Sequence, residues 1–304
     1  MKALLAACLA LLLMPAGGRT PRFRSGIDAV RVDVLVQDGR RPIVGLTAAD
    51  FELRDSGVLQ QVETVVIGDV PLSMLLVLDT STSVEGPALA RLKDASQAAY
   101  AALGKADRAA LLSFSSAVTL QAPWGPPSAF IRDAVSALVA GGSTSLFDAA
   151  FAALTYHDTV TGTRNLIVLF SDGTDTASWL PSHAVFDKAQ RSDAVVYTVV
   201  AGSAGPDASL QYRSGIQLRA VPDRAVYETA PFVQELADIT GGSLFVSRGM
   251  DQVRETFTGI VNEFRTRYVL TYTPRGVDAS GWHPIEVKLK NRKGRVQARR
   301  GYSR

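Results

Sequence analysis

Four runs of nearly unbroken apolar residues constrain this chain most: Met74-Leu75-Leu76-Val77-Leu78, Ala109-Ala110-Leu111-Leu112, Leu166-Ile167-Val168-Leu169-Phe170 and Ala194-Val195-Val196-Tyr197-Thr198-Val199-Val200. A strand with one solvated face alternates apolar with polar residues. A continuous apolar run of strand length belongs where both faces are covered, as in a parallel sheet between helical layers. Helical spacing occupies the intervals, at about 87–103, 127–139, 145–156 and 181–192, and continues after the fourth run at 230–240 and 250–266. Leu89, Leu92, Ala95, Ala99 and Leu103 draw an apolar stripe along the first of these. Strand alternating with helix predicts an α/β unit with a doubly wound, mostly parallel sheet. Residues 203–226, with Gly, Pro and Arg, read as a long exposed loop.

The flanks change period. Val30, Val32, Val34 and Val36 are separated by Arg31, Asp33 and Leu35, which is strand patterning, and Asp38-Gly39 and Asp55-Ser56-Gly57 are turn signals. Phe51 to Arg54 and Val62 to Ile67 read as further strands. Beyond Arg267 come Tyr268 to Tyr272, His283 to Leu289 and Arg295 to Ala298. Residues 27–70 and 267–304 are each too small to build a core alone. The expectation is one small β-sandwich assembled from both, with residues 71–266 inserted between its halves.

Lys2 followed by an apolar run from Ala3 to Met14, then Pro15, Ala16, Gly17 and Gly18, has the build of a secretion signal over residues 1–18, with cleavage near Gly18. The run is too short to span a bilayer, which takes about 20 residues. Secreted or periplasmic location follows as the expectation. Cys8 is the only cysteine. Leu5-Ala6-Ala7-Cys8 fits a lipoprotein-type cleavage pattern, but too little apolar sequence precedes it and Leu9 to Met14 would remain on the product, so lipidation is not expected. Removal of the segment leaves no thiol for disulfides, metal sites or nucleophilic catalysis. The formal net charge of +3 conceals a basic tail of Lys290, Arg292, Lys293, Arg295, Arg299, Arg300 and Arg304. Such a tail protects a strand edge or touches an anionic envelope surface.

The chemistry concentrates where the first buried run ends, in Asp79-Thr80-Ser81-Thr82-Ser83. Open α/β sheets place their sites at the carboxyl ends of strands. One carboxylate and two hydroxyls at alternate positions of a single loop are hard oxygen donors, suited to Mg²⁺, Mn²⁺ or Ca²⁺ and offering nothing particular to zinc or copper.

This Asp-x-Ser-x-Ser loop resembles the metal-ion-dependent adhesion site (MIDAS) of von Willebrand factor A (VWFA) domains. Gly141-Gly142-Ser143-Thr144-Ser145 resembles the family's glycine-rich loop, and Ser171-Asp172-Gly173 its last element. The resemblance spans roughly residues 72–265. It implies a Rossmann-like fold and a divalent cation, Mg²⁺ first and Mn²⁺ or Ca²⁺ as alternatives, held by Asp79, Ser81, Ser83, Thr144 and Asp172. Asp148 and Asp175 would stand behind these ligands. It also implies a protein partner that presents an acidic residue to the metal. Val44-Gly45-Leu46-Thr47-x-x-Asp50-Phe51, Tyr268 and Arg300-Gly301-Tyr302 are similar to the flanks of secreted bacterial VWFA-related proteins.

Competing roles exist for the same residues. Ser81 and Ser83 could cap the following helix, Thr144 the helix near Ser145, and Asp172 could be a turn residue. An EF-hand from Asp79 would want Gly at Val84 and Glu at Ala90, and no phosphate-binding loop or nucleophile elbow occurs. A phosphotransferase built on Asp79 would want a second aspartate at Ser81, whose hydroxyl is a poor proton donor near neutral pH. The chain is thus read as a binding module and not an enzyme, with no nucleic-acid partner. A structural role in an envelope assembly, the metal only stabilising the fold, is the alternative. His157, His183 and His283 are too scattered for a zinc site and read as surface or loop residues. Trp124 and Trp282 read as packing beneath loops. Oligomeric state has no signature.

Overall fold

A computed structural model describes residues 29–39, 41–68, 70–201, 224–247 and 249–304, with 224–229 as backbone only. The expected signal segment, with Cys8, and most of the expected 203–226 loop lie outside the described residues.

The N-terminal part forms β1 (Val30–Asp38), β2 (Arg41–Pro42), β3 (Phe51–Asp55), β4 (Val58–Gln60) and β5 (Thr64–Ile67). The central unit follows with β6 (Leu72–Asp79), α1 (Pro87–Ala101), β7 (Arg108–Phe114), β8 (Val118–Gly125), α2 (Ala129–Ala137), α3 (Leu146–His157), β9 (Arg164–Ser171), α4 (Ser182–Arg191), β10 (Val195–Ala201), α5 (Arg224–Thr240), β11 (Leu244–Ser247) and α6 (Val253–Arg265). The C-terminal part adds β12 (Tyr268–Tyr272), β13 (Trp282–Leu289), β14 (Arg295–Gln297) and β15 (Gly301–Ser303).

The central sheet has the order β11-β10-β9-β6-β7-β8. All its pairings are parallel except that of the edge strand β8 with β7. The apolar runs follow directly from this placement. Met74, Leu76 and Leu78 of β6 face one core with α1, α2 and α6, while Leu75 and Val77 face another with α3, α4 and α5. Every residue of β6 is buried.

The flanks form two further sheets, β14-β1-β12-β5 with β2 on β1, and β15-β13-β3-β4. Their facing sides share a third core of Val32, Val34, Val36, Phe51, Leu53, Tyr268, Leu270 and Tyr272. The first sheet alternates C- and N-terminal strands and the second joins a C-terminal pair to an N-terminal pair, so the α/β unit is inserted between the halves of a small β-sandwich. Tyr268 fastens the 43–46 loop, donating to the Ile43 carbonyl (2.9 Å) and accepting from the Leu46 amide (3.0 Å).

Several local expectations change. Residues 118–125 form β8, so Trp124 sits on a strand, stacked on Tyr156 at 5.6 Å. Trp282 is likewise on a strand and 42% exposed. His157 and His283 are fully buried, because each finds a polar partner inside: the Ser73 carbonyl at 3.2 Å and Asp55 at 3.0 Å. The basic tail is only partly a free cationic edge. Arg300 pairs with Glu235 and Asp238, and Arg299 donates to the Gln190 carbonyl.

Candidate metal centre

Parallel pairing of β6 with β9 and β7 brings three loops to one edge of the sheet. Leu78 lies opposite Phe170 and Asp79 opposite Phe114, so the carboxylates of Asp79 and Asp172 emerge from neighbouring strand ends. The glycine-rich loop is laid against the first loop by backbone bonds. Gly141 N–H donates to the Thr80 carbonyl (2.8 Å), and Thr82 N–H and hydroxyl donate to the Gly142 carbonyl (3.0 and 3.1 Å). Gly142 has φ +87°, and a Cβ there would lie 2.7 Å from Ser116 Oγ. That turn therefore requires glycine.

The polar side chains form one connected set. Ser81 N–H donates to Asp79 Oδ1 (2.8 Å) and Ser171 Oγ donates to Asp79 Oδ2 (2.8 Å). Ser81 Oγ and Ser83 Oγ are 2.9 Å apart, and Ser83 Oγ donates to Asp172 Oδ1 (2.7 Å). Gly173 lies between Ser83 and Thr144: a Cβ on it would be 3.7 Å from each hydroxyl. Asp79, Ser81 and Thr144 are buried, Asp172 is intermediate and Ser83 exposed, so the set runs from the sheet to the surface.

The capping roles are not taken up. Helix α1 begins at Pro87 with Gly86 before it, and the one-turn helix at 82–84 receives no side-chain cap from Ser81. Thr144 does not cap α3 either. Its carbonyl accepts from Thr176 and Ala177 N–H (2.8 and 3.0 Å), while Asp175 Oδ1 accepts from the Leu146 amide (2.8 Å). Asp148 accepts from the Trp179 and Leu180 amides (3.0 and 2.9 Å). Asp175 and Asp148 thus tie the 172–180 loop to the first turn of α3. Ser171, part of its motif but given no role by the sequence, and Ser115 and Ser116, which belong to none of the motifs, support the loops. Ser115 accepts at its carbonyl from Ser145 Oγ, and Ser116 Oγ accepts from Ser143 N–H. Serines in loops carry no spacing that marks them.

Burial pushes the Asp79 carboxyl up to about 6, against the pull of hydrogen bonds from Ser81 and Ser171, and the neighbouring Asp172 adds to the rise. Among the described residues no three Asp, Glu, His or Cys converge in a way that could hold a metal. The set offers two carboxylates and three hydroxyls, a donor chemistry that fits a hard divalent cation with water completing its shell. A buried carboxylate whose charge is disfavoured is also what a cation would compensate.

Carboxylates and hydroxyls gathered at the carboxyl ends of the central strands of a three-layer α/β unit make this end of the sheet the candidate site. Residues 74–174 match the family model of the von Willebrand factor type A domain, and the α/β unit of this chain is similar in fold to that domain. A von Willebrand factor type A structure from Catenulispora acidiphila aligns with a TM-score of 0.53 at 13% identity, over 88% of this chain and 75% of that one. The conserved hypothetical protein BatB from Bacteroides thetaiotaomicron gives 0.46 at 14%, over 64% and 98%. Proximal thread matrix protein 1 of the mussel byssus, with a zinc-occupied MIDAS motif, gives 0.48 at 14%, over 68% of this chain and 48% of that one. At these identities the likeness is one of fold. A search of curated proteins gave no match.

Proposed function

We propose that Asp79, Ser81, Ser83, Thr144 and Asp172 hold one divalent cation, Mg²⁺ before Mn²⁺ or Ca²⁺, and that the chain is a non-enzymatic, metal-dependent protein-binding module working outside the cytoplasm. The observation that carries this reading is the continuity of the set. A single chain of short contacts runs from the buried Asp79 through Ser81 and Ser83 to Asp172 at the surface. When bound, the cation supplies a Lewis-acidic position at which a partner's carboxylate can replace water. The buried residues anchor and orient; Ser83 and Asp172 define the mouth. Residues 71–266 would be the binding unit, with 27–70 and 267–304 as its mount. No helix of the described residues is long and apolar enough to cross a membrane.

Thermal unfolding of the purified chain tests the cation. Mg²⁺ at tenfold excess over its dissociation constant should stabilise the fold by about 1.4 kcal/mol, and EDTA should reverse the gain. An unchanged melting curve with saturating Mg²⁺, Mn²⁺ and Ca²⁺ would sink the reading.

A further inference from the structure

Trp179 is 92% exposed, the most exposed large hydrophobic side chain among the described residues. Single apolar residues on a surface are ordinary, so exposure alone says little. Its placement says more. Trp179 lies on the same loop as Asp172, and that loop is fastened to the candidate centre along its length. Thr176 and Ala177 N–H donate to the Thr144 carbonyl. Ser178 Oγ donates to Asp175 Oδ1 (2.5 Å), and Asp175 in turn holds the Leu146 amide. The amides of Trp179 and Leu180 then take one oxygen each of Asp148. The indole is therefore carried by a backbone fixed on both sides, so little backbone freedom would be lost on contact.

Distance along the fold links the indole to the centre. Asp148 lies on the first turn of α3, four residues after Thr144, so its carboxylate ties the Trp179 backbone to a position close in sequence to the centre. An extended polypeptide advances about 3.3 Å per residue, so two side chains two to five positions apart on a partner span about 7–17 Å of such a rim. Val139, 79% exposed, adds an apolar point on the glycine-rich side, two residues before the Gly141 amide that binds Thr80. Asp148, Asp172 and Asp175 give the same rim a negative character, which disfavours an anionic membrane as the occupant.

We propose that Trp179 is a partner-contact residue, and that the partner is a polypeptide carrying an apolar side chain a few residues from the acidic residue it brings to the cation. This rests on the cation reading above. Tryptophan is enriched among the few residues that carry most of the binding energy at protein interfaces.

The test uses the full chain with Mg²⁺ and acetylated, amidated peptides in which Phe and Asp are separated by one to four glycines, against controls with Gly in place of Phe. Binding is followed by the indole N–H signals in NMR, for the wild type and Trp179→Ala. At one spacing or more the Phe peptide should bind at least about fivefold tighter than its control and shift one exposed indole. Trp179→Ala should lose that advantage while keeping the wild-type Mg²⁺ affinity and melting temperature. Equal binding of Phe and Gly peptides, with Mg²⁺ still stabilising the chain, overturns the Trp179 proposal alone. Absence of any Mg²⁺ effect removes the cation reading and this proposal with it. Loss of binding to phosphatidylglycerol vesicles in Trp179→Ala, without any peptide preference, would replace the polypeptide by a lipid surface.

Discussion

Asp55 and Asp79 are both fully buried, yet their surroundings pull their acidities in opposite directions. Burial raises both. At Asp55 that is outweighed by hydrogen bonds from Tyr272 (2.8 Å), Tyr302 (2.9 Å), His283 and Ser56, which leave the carboxyl below its ordinary value. A carboxyl lowered on folding contributes stability above its unfolded value, near 3.8, and that contribution is lost as pH falls through the folded value. Tyr302→Phe should therefore destabilise by about 1.5–3 kcal/mol at neutral pH, with the difference from wild type shrinking in urea titrations run toward pH 3. A difference that stays constant with pH would mean that Tyr302 acts by packing alone. At Asp79 only the amide and hydroxyls of the surrounding loops oppose burial, and the balance goes the other way. Asp79→Asn keeps the shape and removes the disfavoured charge. The expected outcome is no response to Mg²⁺ and a metal-free melting temperature no lower than that of the wild type. A retained Mg²⁺ response would show that the ion binds elsewhere.

At the scale of elements, β1 is the member on which the sandwich depends. Residues 30–34 pair with β12 and residues 35–37 with β14, so one N-terminal strand is held by two C-terminal ones. Deleting residues 268–304 strips it of both and bares Val32, Val34 and Val36. Aggregation on purification is the expected result; a soluble truncation with unchanged protease resistance over residues 29–70 would contradict it. The buried strands were legible because two-sided burial writes an unbroken apolar run. The Asp79 and Asp172 motifs were legible because each follows such a strand, and the glycine-rich loop because its paired glycines mark a turn before α3. Short and peripheral elements were not. β15 has three residues, too few for any period, and β8 reads as irregular because it is an edge strand carrying Pro123, with register shifts against β7. The buried state of His283 depends on Asp55, 228 residues away, a pairing that no local pattern announces.

For the whole molecule, the contact between sandwich and α/β unit centres on Arg164. Its guanidinium binds Asp33 of β1 at 2.7 Å, donates to the Phe264 carbonyl and lies over the Phe264 ring, with Arg164 buried and the Asp33 side chain 9% exposed. Asp33→Ala leaves that cation unpaired, and a loss of about 3–5 kcal/mol in chemical denaturation is expected. A loss under 1 kcal/mol would mean that water reaches Arg164 and that the bridge is dispensable. The links between the two bodies are short, from Ile67 to Leu72 and from Arg265 to Tyr268. Unfolding should accordingly be one cooperative transition, with matching calorimetric and van't Hoff enthalpies, and Mg²⁺ should move all of it. Two resolved transitions would show that the bodies unfold separately.

Ile67 and Tyr268 are direct cross-strand partners. Their backbones therefore stand only about 5 Å apart, although some two hundred residues lie between them. The intervening unit leaves and re-enters the sandwich at a gap that a hairpin turn would close. It is a cassette in a socket: either part can be exchanged, by recombination or in the laboratory, without repositioning the ends of the other. A graft of a different unit onto Ile67 and Tyr268 needs termini that lie side by side and a cation in the place of Arg164 to meet Asp33.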